Sequence, residues 1–375
     1  MIARLADRLR KDIMAELTRL LTDRSDPARS RVDTGPELAA GPGEIILAPR
    51  RFSLTTNNIT YAVFGDAMRY WDFFPTGEAG WGQIPVWGFA DIVESGVDGL
   101  EPGERIYGYF PIASQVRMRP ERISATGFTD ATPHRGELPP AYNQYSRVSA
   151  DPAYDPQREA HEALYRPLFM TAFLLADFLA DSDIFGARQL VISSASSKTA
   201  SATAFCVGPG DVERVGLTSS ANAGYVAGLG CYETVSRYDD VETLDAGVPT
   251  VYVDFSGNAG LRERIHRHFG DRLAYNCVVG ATDNGGFGQG GDLPGPKPAF
   301  FFAPDQARKR HKDWGAEEFN RRYQEAEAAF LAHVDTADPP WVTVDVHTGF
   351  AGAQDVLADL AAKGGDPALG HVIEL

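Results

Sequence analysis

Cysteine is scarce in this chain of 375 residues: only Cys206, Cys231 and Cys277 occur, and they lie far apart. That excludes a disulfide framework and any closely spaced cysteine metal site, and makes a reducing, cytoplasmic setting the expectation. Basic charge is also short, with 35 Lys and Arg against 51 Asp and Glu and a net charge of −16. No basic stripe offsets that balance, so neither nucleic acid nor an anionic membrane is an expected partner. No run approaches about 18 consecutive apolar residues, the length a membrane span needs. The stretch 1–21 (MIARLADRLRKDIMAELTRLL) is charged throughout and has no apolar signal core. It reads as an amphipathic helix docked on the protein's own surface. There is no G-x-S-x-G string, which disfavours a serine hydrolase. The eight histidines are scattered without ligand spacing, so no metal is expected. Asp239 with Asp240, and Glu317 with Glu318, read as solvated faces.

Hydrophobic residues make up 43% of the chain and charged residues 23%, as in an ordinary globular protein long enough for two domains. The most informative stretch is 186–204, GARQLVISSASSKTASATA. Leu190, Val191 and Ile192 suit a strand covered on both faces. Small residues follow, from Ser193 through Ser194, Ser196 and Ser197, and Lys198 and Thr199 then open a helix. A strand, a tight turn and a helix N-terminus form the geometry that receives a pyrophosphate. Serine and alanine stand where a G-x-G-x-x-G fingerprint would place glycine, and an ordinary serine-capped helix accounts for the same residues.

Neighbouring segments alternate in the same way. Strands are expected at 212–219, 248–254 and 273–280, with helices at 221–230 and 261–269. Strands and helices alternating at short spacing predict a parallel sheet with right-handed crossovers, whose ligands sit at the carboxyl ends of the strands. Ser193, Thr218 and Ser219, Ser256 and Gly257, and Gly280 and Thr282 fall at such ends. The second strand ends in hydroxyl residues followed by Asn222. A carboxylate there would bond a ribose diol, whereas hydroxyls accommodate a 2′-phosphate, so NADP(H) is favoured over NAD(H). Lys198 and Arg214 are the candidate basic partners of that phosphate.

The first third is different. Segments 44–47, 50–54, 84–93 and 116–118 read as short strands, with another beginning at Arg105, and the Pro102-Gly103 turn lies among them. Frequent turns imply a small β-barrel-like domain. Segment 55–75 (TTNNITYAVFGDAMRYWDFFP) is dense in Asn and aromatic residues, which suit either a core layer or a pocket for a planar substrate.

The series formed by a strand, an asparagine-rich turn and the segment leading into GERIYG resembles the N-terminal domain of the medium-chain dehydrogenase/reductase superfamily. The likeness is to its zinc-independent, quinone oxidoreductase-like branch. Within it, the strings NNITYAVFGDAMRYW, PVWGFAD, SSASSKTA and FFAPDQARKRHKDWG resemble the DUF2855 group. The resemblance implies an α/β fold, with a GroES-like β-barrel domain plus a Rossmann doubly wound parallel sheet. It places residues 1–165 and 310–375 in the first domain and 166–309 in the second. Zinc-dependent relatives carry ligands that this chain does not: Gly88-Phe89-Ala90 stands in place of their Gly-His-Glu.

The implied activity is NADPH-dependent, metal-independent reduction of an activated C=C bond or quinone by hydride transfer. A lyase or isomerase using NADP catalytically, or a non-catalytic NADPH sensor, are the alternatives. Tyr61 is the first candidate to donate a hydrogen bond or proton to the substrate oxygen, with Asn57 and Asn58 holding the carboxamide or carbonyl, and Tyr70 and Asp66 behind them. The expected partners are a small-molecule substrate and, by the habit of the superfamily, a second copy in a homodimer. The long segment 124–166 is expected to act as a lid or dimer contact, 284–298 as a glycine-rich flap, and Phe300 to Phe302 as an apolar plug.

Overall fold

The computed structural model describes residues 16–152, 154–279 and 293–375. The chain divides into two compact units, one ending at Leu164 and completed by Thr343–Leu375, the other running over Tyr165–Val342.

The first unit is built on antiparallel strands. β1 (Leu17–Asp23) and β2 (Asp26–Gly35) form a hairpin, and β1 also pairs with the short β4 (Trp81–Gly82). The apolar spacing that suggested a helix over 1–21 therefore belongs, in its described part, to a strand. Leu17, Leu20 and Leu21 are buried in it, and the rest of that expectation lies outside the described residues. A larger nine-stranded sheet centres on β3 (Ile45–Leu54) and β5 (Pro85–Ser95), with β6 (Arg105–Pro111) beside β5 and β7 (Val116–Met118) also on β3. The two strands expected at 44–47 and 50–54 are one strand that continues through Pro49. Gly88 sits opposite Phe52 where β5 pairs with β3: a Cβ there would lie 2.2 Å from the Arg51 carbonyl oxygen, so only glycine permits this approach.

Part of segment 124–166 is built into the large sheet. β8 (Pro120–Glu121), β9 (Gly127–Asp130) and β10 (Gln144–Arg147) extend the same sheet, with β10 pairing both β9 and β6. Its interior is fixed by Arg135, which is 1% exposed and bonds the Asp130 carboxylate at 2.9 Å and the Tyr145 hydroxyl at 2.8 Å. A buried guanidinium with those partners needs an ordered surround.

Helix α1 (Thr56–Val63) follows β3. Thr55 accepts from Asn57 N–H, and the Asn58 side chain accepts from Thr55 N–H, a reciprocal cap. The long helix α2 (Glu159–Asp181) carries the chain out of the first unit. Among the described residues it is the one helix that could span a membrane by length and apolar composition. Half of its apolar window is buried inside the protein.

In the second unit, β11 (Gln189–Ser193) leads into α3 (Lys198–Val207), β12 (Glu213–Thr218) into α4 (Ala223–Gly228), and β13 (Thr234–Arg237) follows. β14 (Thr250–Asp254), α5 (Ala259–Phe269), β15 (Leu273–Val278) and β16 (Ala299–Phe300) complete a sheet in the order β13-β12-β11-β14-β15-β16, parallel throughout. The winding proceeds outward from β11 to β13, then crosses back to β14. That is the doubly wound order with its switch point between β11 and β14. Its core includes Val191, Val215, Leu217, Tyr252, Ile265 and Phe269.

α6 (Ala303–Trp314) and α7 (Ala316–Thr336) stay with the second unit. Phe330 of α7 stacks on Phe169 at 4.9 Å and meets Tyr165, Phe205 and Trp341 edge-on. That aromatic packing explains why the return to the first unit comes at Thr343 rather than at 310. Of the expected plug, only Phe301 is buried, and Phe300 and Phe302 alternate outward. The chain then adds β17 (Thr343–Thr348), α8 (Gly349–Lys363) and β18 (Leu369–Glu374). β17 pairs parallel with β18, which pairs with β3. The fold is α/β: a GroES-like β domain plus a Rossmann doubly wound parallel sheet.

Candidate cofactor and substrate sites

In the second unit the switch point is organised by two buried side chains at strand ends, Ser193 of β11 and Asp254 of β14. The Ser193 hydroxyl accepts from Phe255 N–H at 3.0 Å and Ser256 N–H at 3.1 Å, and lies 3.3 Å from Asp254 Oδ1. Asp254 Oδ1 accepts from the Ser256 hydroxyl at 2.8 Å and Gly257 N–H at 2.9 Å. Arg262 of α5 bonds Asp254 Oδ2 at 2.9 Å through Nε and at 2.8 Å through Nη2. Ser193 and Asp254 together fix the turn 255–257, and Arg262 matches the charge of the buried carboxylate. Sequence reasoning missed Asp254 and Arg262, although an acid closing a β-branched strand was a visible signal.

The serine turn leaves β11 through Ser194, which adopts a left-handed φ of 51°, the conformation that usually selects glycine. Ser194 N–H donates to the Tyr238 hydroxyl at 3.1 Å, Ala195 N–H to the Leu217 carbonyl at 3.2 Å, and Ser197 N–H to the Ser194 carbonyl at 2.7 Å. Ser197 caps α3, accepting from Ala200 N–H at 3.3 Å. Lys198 and Thr199 form the first helical positions, both half-buried. The neighbouring turn is drawn in by Asn222, whose amide donates to the Ser196 hydroxyl at 3.2 Å. The Thr218 hydroxyl at the end of β12 is buried and has no partner among the described residues, while Ser219 beside it is half-exposed. The structure thus brings Ser194, Ser196, Ser197, Lys198, Thr199, Thr218, Ser219, Asn222, Ser256 and Gly257 to the carboxyl ends of β11, β12 and β14. Gly280 and Thr282 lie outside the described residues, as does most of the expected flap.

Arg214 is elsewhere. It is the second residue of β12, five residues and about 16 Å of strand from Ser219. It is buried against Glu233, with Nε 3.0 Å from Oε2, and also bonds the Ala204 carbonyl at 2.9 Å. The pair holds Glu233 below the usual carboxylate range, chiefly through the hydrogen bond from Arg214. Arg214 is a structural cation and not a phosphate partner.

In the first unit Tyr61 is buried, and its hydroxyl accepts from Trp87 Nε1 at 3.3 Å. Its ring lies 4.6 Å from Tyr70 and 5.8 Å from Tyr109, centroid to centroid. Tyr142 stands 4.8 Å from Tyr109, and its hydroxyl is 3.3 Å from that of Tyr70. The result is a nest of four phenols and an indole. The Tyr109 hydroxyl is fully buried with no partner among the described residues. Burial pushes the Tyr61, Tyr109 and Tyr142 hydroxyls well above the ordinary phenol range. They are neutral donors at any physiological pH and cannot serve as bases.

Asn57 is half-buried at the start of α1, and its N–H is committed to the Thr55 cap at 3.2 Å. Asn58 is buried, and its amide is committed to the Thr55 cap and the Pro85 carbonyl at 3.0 Å. Asp66 lies on the surface against Arg24 at 3.0 Å. Trp87, Tyr109 and Tyr142 were not singled out from sequence, although PVWGFAD and PPAYNQYSR carry two of them in plain view.

The histidines are not all scattered. His347 of β17 and His371 of β18 stand 3.1 Å apart, Nε2 to Nδ1, with Asp345 Oδ2 3.3 Å from His347. Parallel strand pairing brings together residues that sequence spacing kept apart.

The family model described as "Protein of unknown function (DUF2855)" matches residues 52–366, and the chain belongs to that family. No curated protein matches the chain. Among solved structures, CurA of Vibrio vulnificus in complex with NADPH is 13% identical, with 95% of this chain and 98% of that one covered and a TM-score of 0.57. The quinone oxidoreductase of Coxiella burnetii is 13% identical, with 96% and 100% covered and a TM-score of 0.53. A probable oxidoreductase of Mycobacterium abscessus is also 13% identical, with 96% and 100% covered and a TM-score of 0.56. At such identities the likeness is one of fold, extending over both units.

Proposed function

We propose that the protein is an NADP(H)-dependent oxidoreductase that reduces an activated C=C bond or a quinone-type substrate by hydride transfer, without a catalytic metal. The observation that carries this reading is the serine turn at the end of β11, opening α3 at the switch point of the sheet. The donor set fits a dinucleotide phosphate. The turn combines small hydroxyl side chains, a helix N-terminus and the Lys198 ammonium, and negative charge is favoured at each. The buried Thr218 hydroxyl and the half-exposed Ser219, with no carboxylate at the end of β12, favour the 2′-phosphate form. CurA, a structural neighbour, holds NADPH. Bound there, NADPH supplies the hydride.

The residues of the chain bind, orient and donate. Ser194, Ser196, Ser197, Lys198, Thr199, Ser256 and Gly257 hold the pyrophosphate side, and Thr218, Ser219 and Asn222 the ribose side. Gly280 and Thr282 remain candidates beyond the described residues. Tyr61, steadied by Trp87, donates a hydrogen bond to the substrate oxygen as charge develops on it, with Asn57 close by on α1 to hold the carboxamide or carbonyl, and Tyr70 assists. Asn58 acts as a positioning residue through the cap of α1. Phe300 and Phe302 are each 50% exposed at the edge strand β16, and support a homodimer through that edge.

The test is titration of the purified protein with NADPH and NADH, followed by fluorescence and thermal shift. Selective stabilisation by NADPH is expected. Folded protein that binds neither would remove the reading.

A further inference from the structure

Independently of the reductase reading, we infer that Asp345, His347 and His371 form a binding site for one zinc-like divalent ion on the edge of the large sheet of the first unit. On β17, Asp345 and His347 are two residues apart and share a face, and parallel pairing sets His371 of β18 directly beside Asp345. The three candidate donor atoms are separated by 3.1 Å (His347 Nε2 to His371 Nδ1), 3.3 Å (His347 Nε2 to Asp345 Oδ2) and 4.0 Å (His371 Nδ1 to Asp345 Oδ2). Ligands about 2.1 Å from a common ion lie about 3.4 Å apart in a tetrahedron and about 3.0 Å apart in an octahedral face. Two of the observed separations fall in that interval. The third closes to it by rotation of the Asp345 carboxylate, which is 53% exposed and free to turn.

The rings are less mobile. The His347 and His371 side chains are 25% and 20% exposed. A Cβ on Gly352 of α8 would lie 3.0 Å from that of His347, so the absence of a side chain there leaves the ring its place. Two imidazoles and one carboxylate are the donor set of zinc and its neighbours, not of calcium or magnesium, which take oxygen. Three protein ligands leave one position for water.

β17 is separated from β5, which carries Trp87, by β18 and β3. Three strand spacings amount to about 14 Å, so the ion would not touch the phenol nest. It would pin the edge strand β17 to β18 by bonds that the ladder alone does not supply.

The experiment uses the full chain, prepared without a polyhistidine tag and stripped with a chelator. Co2+ is titrated first, and Zn2+ is then titrated against a chromogenic indicator. The expected result is one equivalent of Co2+ giving visible ligand-field bands that one equivalent of Zn2+ abolishes. His347→Gln and His371→Asn are each expected to weaken Zn2+ at least tenfold, since even groups behind the ligands cost about 10- to 100-fold. Asp345→Asn, at an exposed position, should lower affinity without altering thermal unfolding of the metal-free protein, which separates ligand loss from misfolding. Absence of stoichiometric binding, or equal binding by the His347→Gln/His371→Asn double variant, would overturn the inference. NADPH binding by the stripped protein reports separately on the reductase reading.

Discussion

Replacing Asp254 by Asn tests whether one buried carboxylate holds the switch-point turn. Asp254 is fully buried, and its Oδ2 receives two bonds from Arg262, at 2.8 and 2.9 Å. The amide would keep an acceptor for Ser256 and Gly257 but present an NH2 group to the guanidinium. Breaking a buried pair costs about 3–5 kcal/mol, because the remaining charge is left uncompensated. The lower end applies here, since the Arg262 side chain is 19% exposed and can partly hydrate. For a unit of this size each kcal/mol moves Tm by about 2–4 °C, so a loss of about 3 kcal/mol corresponds to a fall of about 6–12 °C. Circular dichroism melting of the wild type, Asp254→Asn, Arg262→Gln and the double variant measures it. The double variant should lose less than the sum of the singles, because the second substitution removes a charge already stranded. Added salt should leave the wild-type difference nearly unchanged, as buried pairs are little screened. A single-variant Tm within about 2 °C of wild type, or strict additivity, would refute the assignment.

Gly88→Ala forces a Cβ to within 2.2 Å of the Arg51 carbonyl oxygen and 2.6 Å of Phe52 Cα. Both are backbone atoms that cannot swing away, so a loss of about 1–3 kcal/mol is expected in denaturant melts. Tyr61→Phe should lower kcat/KM for an enone or quinone by about 10²- to 10⁴-fold while leaving NADPH affinity unchanged. An unaltered rate would remove Tyr61 as the donor. Burial pushes the Cys206, Cys231 and Cys277 thiols up to about 12. A disulfide reagent at pH 8 should therefore react slowly with native protein and quickly with three thiols after unfolding. Fast reaction of Cys231 and Cys277 in the native state would contradict their burial.

The second unit was the more legible part because its signals are local. Leu190, Val191 and Ile192 announce a strand covered on both faces, and the hydroxyl-rich turn follows at once. The first unit depends on pairings between distant segments. Leu17, Leu20 and Leu21 carry helical spacing, yet they bury as a strand because β2 supplies the ladder. β2 itself, DPARSRVDTG, is polar and has no buried residue, so no apolar period marks it. The Tyr61 nest assembles side chains from α1, β5, β6 and the segment before β10. Nothing local relates Tyr109 to Tyr142.

On the proposed reading, the serine turn supplies the geometry of a dinucleotide turn without its glycines. Glycine serves a dinucleotide turn by adopting left-handed backbone without cost and by letting a phosphate approach the chain. Ser194 adopts the same conformation at a cost of about 1–2 kcal/mol. The turn is over-determined from outside: Leu217 receives one N–H, Tyr238 another, and Ser193 anchors the strand end to the β14 turn. These partners come from three other segments, so no short motif records them. The exchange replaces backbone freedom with hydroxyl donors on Ser194 and Ser196. Restoring glycine at 194 would thus relieve strain while removing a donor, and stability and NADPH affinity should move in opposite directions. If they rise together in thermal melts and cofactor titrations, the hydroxyl has no part in binding.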